Sequence, residues 1–173
     1  GSRYGIRYFD ESNTPHHPII LHNSPSGAIE RVVYALLEKA ALDQKEGRKA
    51  QLPLWLAPIQ VRIIPLKDEF LSHCENLADR LSSQEIRVDI DDRNETLGKR
   101  IRESETEWIR YTLVIGEKEV SKLNLSIRDR KTGESKELSF DDFVNEIKNQ
   151  TKDKPFTKLN LARLVSKRPQ IMV

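Results

Sequence analysis

The sequence has 173 residues, 37% of them hydrophobic and 32% charged, enough apolar material to bury the core of one domain with appended pieces. The 29 Lys and Arg against 27 Asp and Glu leave a net charge of only +2, so any nucleic-acid surface must come from local placement rather than bulk charge. A single cysteine, Cys74, excludes an internal disulfide and a zinc site built on cysteine alone. The longest apolar run, "PLWLAPIQVRIIPL", is broken by Pro58, Gln60 and Arg62 and falls short of the roughly 20 apolar residues of a membrane span. With no signal-peptide layout at the N-terminus, a cytoplasmic protein with no membrane partner is expected.

Gly1 and Ser2 resemble a cloning remnant, and the strand-like "RYGIRYFD" follows at once, so a fragment of something longer is expected. Residues 3 to 9 and 18 to 22 read as strands joined by the turn-rich "DESNTPHH". "SGAIERVVYALLEKAAL" reads as a helix, with Ile29, Val32, Val33, Leu36, Leu37 and Ala40 forming an apolar stripe. Polar, aperiodic "DQKEGRKAQ" marks a linker, placed at 43–52, between a segment 1–42 and a domain 53–150.

Within that domain "QVRIIPL" is a strand, "DEFLSHCENLADRLSS" a helix with Cys74, Leu77 and Leu81 inward, and "EIRVDID" a strictly alternating strand. A strand, helix, strand unit predicts parallel strands with a right-handed crossover. "TLGKRIRESETEW" is a weaker helix because of Gly98, with Leu97, Ile101 and Trp108 inward and Lys99, Arg100 and Arg102 facing solvent. "YTLVIG" has the continuous apolar character of a central strand. "NLSIRDR" and "SKELSF" flank the turn "KTGE" as a hairpin, and Ser139 caps a final helix, with Leu138 stapling onto Phe143. A tail, 151–173, ends in "LARLVSKRPQIMV", a short helix before Pro169. The sum is an α/β domain, β-α-β-α-β-β-β-α, with a five-stranded, mostly parallel sheet.

Enzyme chemistry finds little support in the residues. His16 and His17 sit between prolines in a turn, where solvated imidazoles are expected, and His22 alone is at most one ligand of a metal site. There is no G-x-S-x-G elbow, Walker loop or G-x-G-x-x-G. The "DIDDR" carboxylates alternate along a strand and read as surface acids paired with neighbouring Lys or Arg. Nucleic-acid binding fits better: Arg93, Lys99, Arg100 and Arg102 cluster near one helix start, and Arg128, Arg130 and Lys131 lie on a strand and its turn. Asn94, Glu119 and Trp108 add base-edge hydrogen-bonding groups and a stacking surface, which unstacked RNA bases require.

Several segments together resemble one family. "HNSPSGAIERV" is similar to motif 3 of class II aminoacyl-tRNA synthetases in its archaeal-type threonyl version. "PLWLAPIQVRIIPL", "IRVDIDDRNETLGKRIRE", "YTLVIGEKEV" and "SIRDR" then resemble, in order, the C-terminal anticodon-binding domain of the same synthetases. The resemblance implies a three-layer α/β/α anticodon-binding domain with a five-stranded mixed sheet, preceded by a remnant of the class II catalytic domain.

It also implies roles. Arg31 matches the motif 3 arginine that contacts ATP, and His22 matches the last of three protein ligands of a zinc ion. Asn94, Arg102, Lys118, Glu119 and Arg128 fall where the family contacts the anticodon loop. Arg128 is the candidate for a bidentate contact to the middle guanine, with Glu119 and Lys118 on the neighbouring uracil. Trp108 stands where the bacterial pattern has an arginine, so that contact is lost or becomes stacking, with Arg110 available to supply the charge.

Motifs 1 and 2 and the other zinc ligands are missing, so the fragment should be inactive alone, binding neither ATP nor zinc. The intact homodimeric parent would use both to attach threonine to its tRNA. Its expected partners are threonine tRNA and the missing catalytic domain, not DNA. The alternative is a same-fold accessory or split, editing-type subunit that binds tRNA or protein without aminoacylation.

Overall fold

A computed structural model describes residues 1–24 and 27–169. The chain divides into two compact units, Gly1–Leu36 and Leu37–Val173.

In the first unit a short turn at Ser2–Tyr4 precedes β1 (Tyr8–Phe9) and β2 (Pro15–His16), which pair antiparallel. The strand expected at 18–22 does not form there, and pairing occurs inside the expected turn instead. Asp10 organises that turn, accepting from the Ser12 and Thr14 amides, both at 2.9 Å, and from His16 Nε2 at 2.7 Å. Ile19 and Leu21 are each 90% exposed, so among the described residues the apolar pattern that suggested a strand is not packed. α1 (Ile29–Lys45) begins in this unit. Ser26, where the helix was expected to start, lies outside the described residues. Of its apolar stripe Ile29, Val32, Val33 and Leu37 are exposed and Ala40 is buried. The helix continues into the expected linker, where Asp43 pairs with Lys39 and Arg48, and stops before Gly47, whose φ of 80° a side chain would strain.

The second unit is built on a sheet of order β4-β3-β5-β6-β7, comprising β3 (Val61–Pro65), β4 (Val88–Ile90), β5 (Tyr111–Ile115), β6 (Leu125–Asp129) and β7 (Ser135–Leu138). β3 pairs parallel with β4 and β5, whereas β5–β6 and β6–β7 are antiparallel, so the sheet is mixed rather than mostly parallel. α2 (Leu71–Ser83) links β3 to β4, and α3 (Leu97–Thr106) carries the chain back past β3 to β5. A five-residue helix, α4 (Glu117–Ser121), follows β5 and was not foreseen. α5 (Phe140–Thr151) has Ser139 as its cap, accepting from the Asp142 amide at 3.1 Å.

Alternation gives the sheet two unlike faces. Val61, Ile63, Val88, Ile90, Tyr111, Leu113, Ile115 and Ile127 project to one side. There Cys74, Leu77 and Leu81 of α2 and Phe143 and Ile147 of α5 close the apolar core. On the other side the register aligns Asp89, Arg62, Thr112, Arg128 and Ser135 in one row across all five strands. β3 is covered on both faces, as its apolar character implied, yet Arg62 is 0% exposed and wholly inside. It donates to Asp89 Oδ1 at 3.0 Å and Oδ2 at 2.7 Å, and to Glu107 at 2.7 Å. Taking that guanidinium out of water is tolerable because carboxylates replace the lost hydration.

Three expectations fail locally. Arg100 does not face solvent: it is buried and donates to the carbonyls of Pro65 at 2.9 Å and Asp91 at 3.1 Å. α3 ends at Thr106, and Trp108, with φ of 59°, occupies the left-handed position that closes it, as the Ile109 N–H reaches back to the Ser104 carbonyl at 3.0 Å. The tail forms a three-residue turn, Val165–Lys167, rather than a helix, and Leu164 bridges parallel to Ile90 at the β4 edge. The end of the tail, 170–173, lies outside the described residues.

Candidate nucleic-acid interface

α3 packs chiefly on β3 and leaves the polar side of β6 and β7 open. Exposed or half-buried Ser126, Arg128, Ser135 and Glu137 line that open half. The carboxyl ends of β3, β4 and β5 form one edge of the sheet, and at that edge strand order reverses, the usual place for a ligand in an open α/β sheet. The loop 91–96 leaves β4 there and holds exposed Asn94. α4 leaves β5 at the same edge and holds Lys118 and Glu119.

Topology thus brings Asn94, Lys118 and Glu119 to one edge. Arg128 sits in the row further back, opposite Thr112, and its guanidinium meets Glu105 near the C-terminus of α3. Arg102 is exposed on α3 one turn before Glu105, so helical spacing puts it on the flank nearest Arg128. Trp108 lies past the end of α3, near the amino ends of the strands. Arg110 is committed to Asp129 at 2.8 Å and to Gln51 at 3.1 Å, so its charge is already matched.

The groups differ in how freely they can meet a ligand. Arg102 and Lys118 have no ion-pair partner among the described residues. Glu119 uses Oε2 to accept the Gly116 amide at 3.1 Å, closing the first turn of α4 and leaving its second oxygen available. A Cβ at Gly116 would come within 2.7 Å of Leu66 Cδ1, so that side-chain end would have to shift. Arg93 is locked between Asp91 at 2.7 Å and Glu103 at 2.6 Å, which raises its pKa and gives it a positioning role in the loop. Sequence spacing could not reveal Glu105, which gathers Lys49 at 3.1 Å, Arg128 at 3.3 Å and Arg130 at 3.9 Å. Partial burial pushes its carboxyl up, but the Lys49 ammonium and the Arg128 guanidinium hold it below the usual range.

In the first unit Arg31 lies against Gly27, where an added Cβ would meet its Nη1 at 3.1 Å. His22 is exposed, and among the described residues no three His, Cys, Asp or Glu side chains are grouped to hold a metal ion.

One sheet face is sealed by an apolar core, and the other is half-open, with Arg128 in its central row and Asn94, Lys118 and Glu119 at its carboxyl edge. Residues 60–150 match the anticodon binding domain family, and the chain belongs to it. Over 173 residues, its full length, the chain is 68% identical to a threonine–tRNA ligase of Nitrosopumilus maritimus strain SCM1. It is 46% identical over 168 residues to that of Pyrococcus horikoshii. The chain spans about 28% of the length of these relatives. Among solved structures, the RNA binding domain of threonyl-tRNA synthetase from Cryptosporidium parvum Iowa II superposes with a TM-score of 0.54 at 26% identity. That superposition covers 62% of this chain and 26% of that one.

Proposed function

We propose that this chain is the anticodon-reading part of a threonine–tRNA ligase whose intact form uses ATP to join threonine to its tRNA in the cytoplasm. The observation that carries the reading is similarity to threonine–tRNA ligases along the entire chain, including the residues before the anticodon-binding domain. The same full-length similarity favours a ligase over an accessory subunit of the same fold. The geometry supports a division of labour. Arg128, half-exposed on the open face, offers two parallel N–H donors to the O6 and N7 acceptors of an unpaired guanine. Asn94, Lys118 and the free oxygen of Glu119 meet neighbouring bases at the carboxyl edge, while Arg102 supplies a cation for the phosphates.

Arg31 and His22 belong to the other half of the proposal. In the intact enzyme, a homodimer of class II type, Arg31 would contact ATP, an always-charged planar group suited to phosphate. His22 would be one zinc ligand. Among the described residues no side chains are grouped to complete that site. The experiment is ATP-dependent charging of threonine tRNA by the parent protein: threonylation is expected, and its loss in Arg31→Ala. Charging with a different amino acid, or none, would overturn the assignment.

A further inference from the structure

Residues 151–169 hold six cations, Lys152, Lys154, Lys158, Arg163, Lys167 and Arg168, against the single acid Asp153. That local excess of five exceeds the +2 of the whole chain, so the remainder is net acidic. The strap lies beyond the residues matched by the anticodon binding domain family, which end at 150. Two of the six cations serve the fold, Arg163 with Asp79 at 2.5 Å and Arg168 with the buried Asp89 at 2.9 Å. Lys152, Lys154 and Lys158 have no ion-pair partner among the described residues. Proximity to the C-terminus of α5 accounts for Lys152 through the helix dipole, but that effect fades within a turn and does not reach Lys154 or Lys158.

One carbonyl of this segment, that of Thr157, is held from outside it. Arg87, itself buried, donates to Trp55 O at 2.7 Å, Ala57 O at 3.0 Å and Thr157 O at 3.4 Å, tying the strap to the segment that enters β3. Lys154 Nζ stands 5.9 Å from the Trp55 ring centre. The result is two adjoining clefts. One, of about 300 Å³, is bordered by Trp55, Lys148, Lys152 and Lys154 and by the acids Glu85 and Asp153, and the other, of about 270 Å³, by Trp55, Pro155 and Lys158. Gln60 and Arg87 line the first, which puts it at the amino ends of β3 and β4, the edge opposite Asn94 and α4.

We infer that this strap is a second RNA contact, gripping phosphates of the same tRNA outside its anticodon loop. The inference rests on the tRNA-binding reading above. Lysine ammonium groups act on phosphate as point charges without reading sequence, which suits a grip rather than a selective contact. The two edges are about one strand length apart, roughly 17 Å, and one folded RNA backbone can span both. Once the loop is held at one edge, the rest of the polyanion is presented to the other at high effective concentration.

The test compares the 173-residue chain with its Lys152→Gln/Lys154→Gln/Lys158→Gln variant. The probes are full-length threonine tRNA and its isolated anticodon stem-loop, each with the native and a replaced middle anticodon base. The inference predicts about tenfold weaker binding of both full-length tRNAs and a log K against log salt slope shallower by about 2 to 3. Stem-loop affinity should change less than twofold, and the melting temperature should fall by no more than the few degrees that losing the Lys152 helix-dipole contribution allows. An unchanged slope with full-length tRNA, or an equal loss with the stem-loop, overturns it. If the unsubstituted chain binds tRNA without preferring the native base, anticodon reading fails while the slope still decides the grip. If it binds no tRNA, both fall.

Discussion

Arg128 Nη2 and Glu105 Oε1 face each other at 3.3 Å between β6 and the last turn of α3, and both side chains remain partly open to water. A half-exposed pair at that separation is weak, so the guanidinium is aimed rather than consumed. RNA must displace Glu105 to take the fork of Arg128. Glu105→Gln should therefore strengthen binding of the anticodon stem-loop by about two- to fivefold, by removing a competitor worth up to roughly 1 kcal/mol. Fluorescence anisotropy at fixed salt checks this, and weaker binding would contradict it.

The buried pair Arg62 and Asp89 behaves differently. Asp89→Ala strips the two-point partner from a guanidinium that is 0% exposed, and should cost about 3–5 kcal/mol in urea unfolding. Arg62→Met/Asp89→Leu, which removes both charges, should cost less than Asp89→Ala. A larger loss in the double variant would show that the pair stabilises beyond its own desolvation.

Acid should weaken the second unit before alkali does. Asp91 and Glu146 join Glu105 in having folded pKa values below their ordinary ones. Burial raises each, and Arg93 for Asp91, or Lys136 and Tyr111 for Glu146, more than offsets it. Because the folded state holds these protons less tightly than the unfolded chain, the stability they add is complete above about pH 5. It drains away as pH falls through the ordinary carboxylate values near 4 and on to the lowered folded ones. Thermal melts should agree between pH 7 and 5.5 and drop progressively below about 4.5, and a melting temperature flat down to pH 3 would contradict this.

Cys74 lies at 0% exposure on the inward face of α2, and burial first, then the nearby Glu75 charge, pushes its thiol up to about 12. The thiolate is the reactive form, so iodoacetamide at pH 8 should leave it unmodified in the folded chain and label it in urea. Rapid labelling without denaturant would mean that α2 opens readily from the sheet.

The apolar face of the sheet was legible because each of its residues announces itself locally. Val88 and Ile90 alternate with Arg87 and Asp89, and the α2 stripe recurs at helical spacing. The polar face was not, because its logic is pairwise over long separations. Arg62 finds Asp89 27 residues away and Glu107 45 away, and nothing near Arg62 in sequence says whether it faces water or carboxylates. Arg100 misleads for the same reason: a charged residue on a helix reads as solvated until the carbonyls that receive it are in place. Trp108 reads as an inward helical aromatic, yet the helix ends two residues earlier and the tryptophan takes a backbone position usually given to glycine. The site was legible only as a set of residue types. Where each group sits, and that Glu105 restrains Arg128, depends on the register of β5 with β6.

The most direct measurement is the affinity of the chain for the threonine-tRNA anticodon stem-loop with its middle guanine against the same loop with that base replaced. Preference for guanine by about 1–3 kcal/mol, abolished in Arg128→Ala while binding of the replaced loop stays within about twofold, is the predicted result. Equal affinity of the unsubstituted chain for both loops would contradict the assignment of Arg128 as the reader of the anticodon.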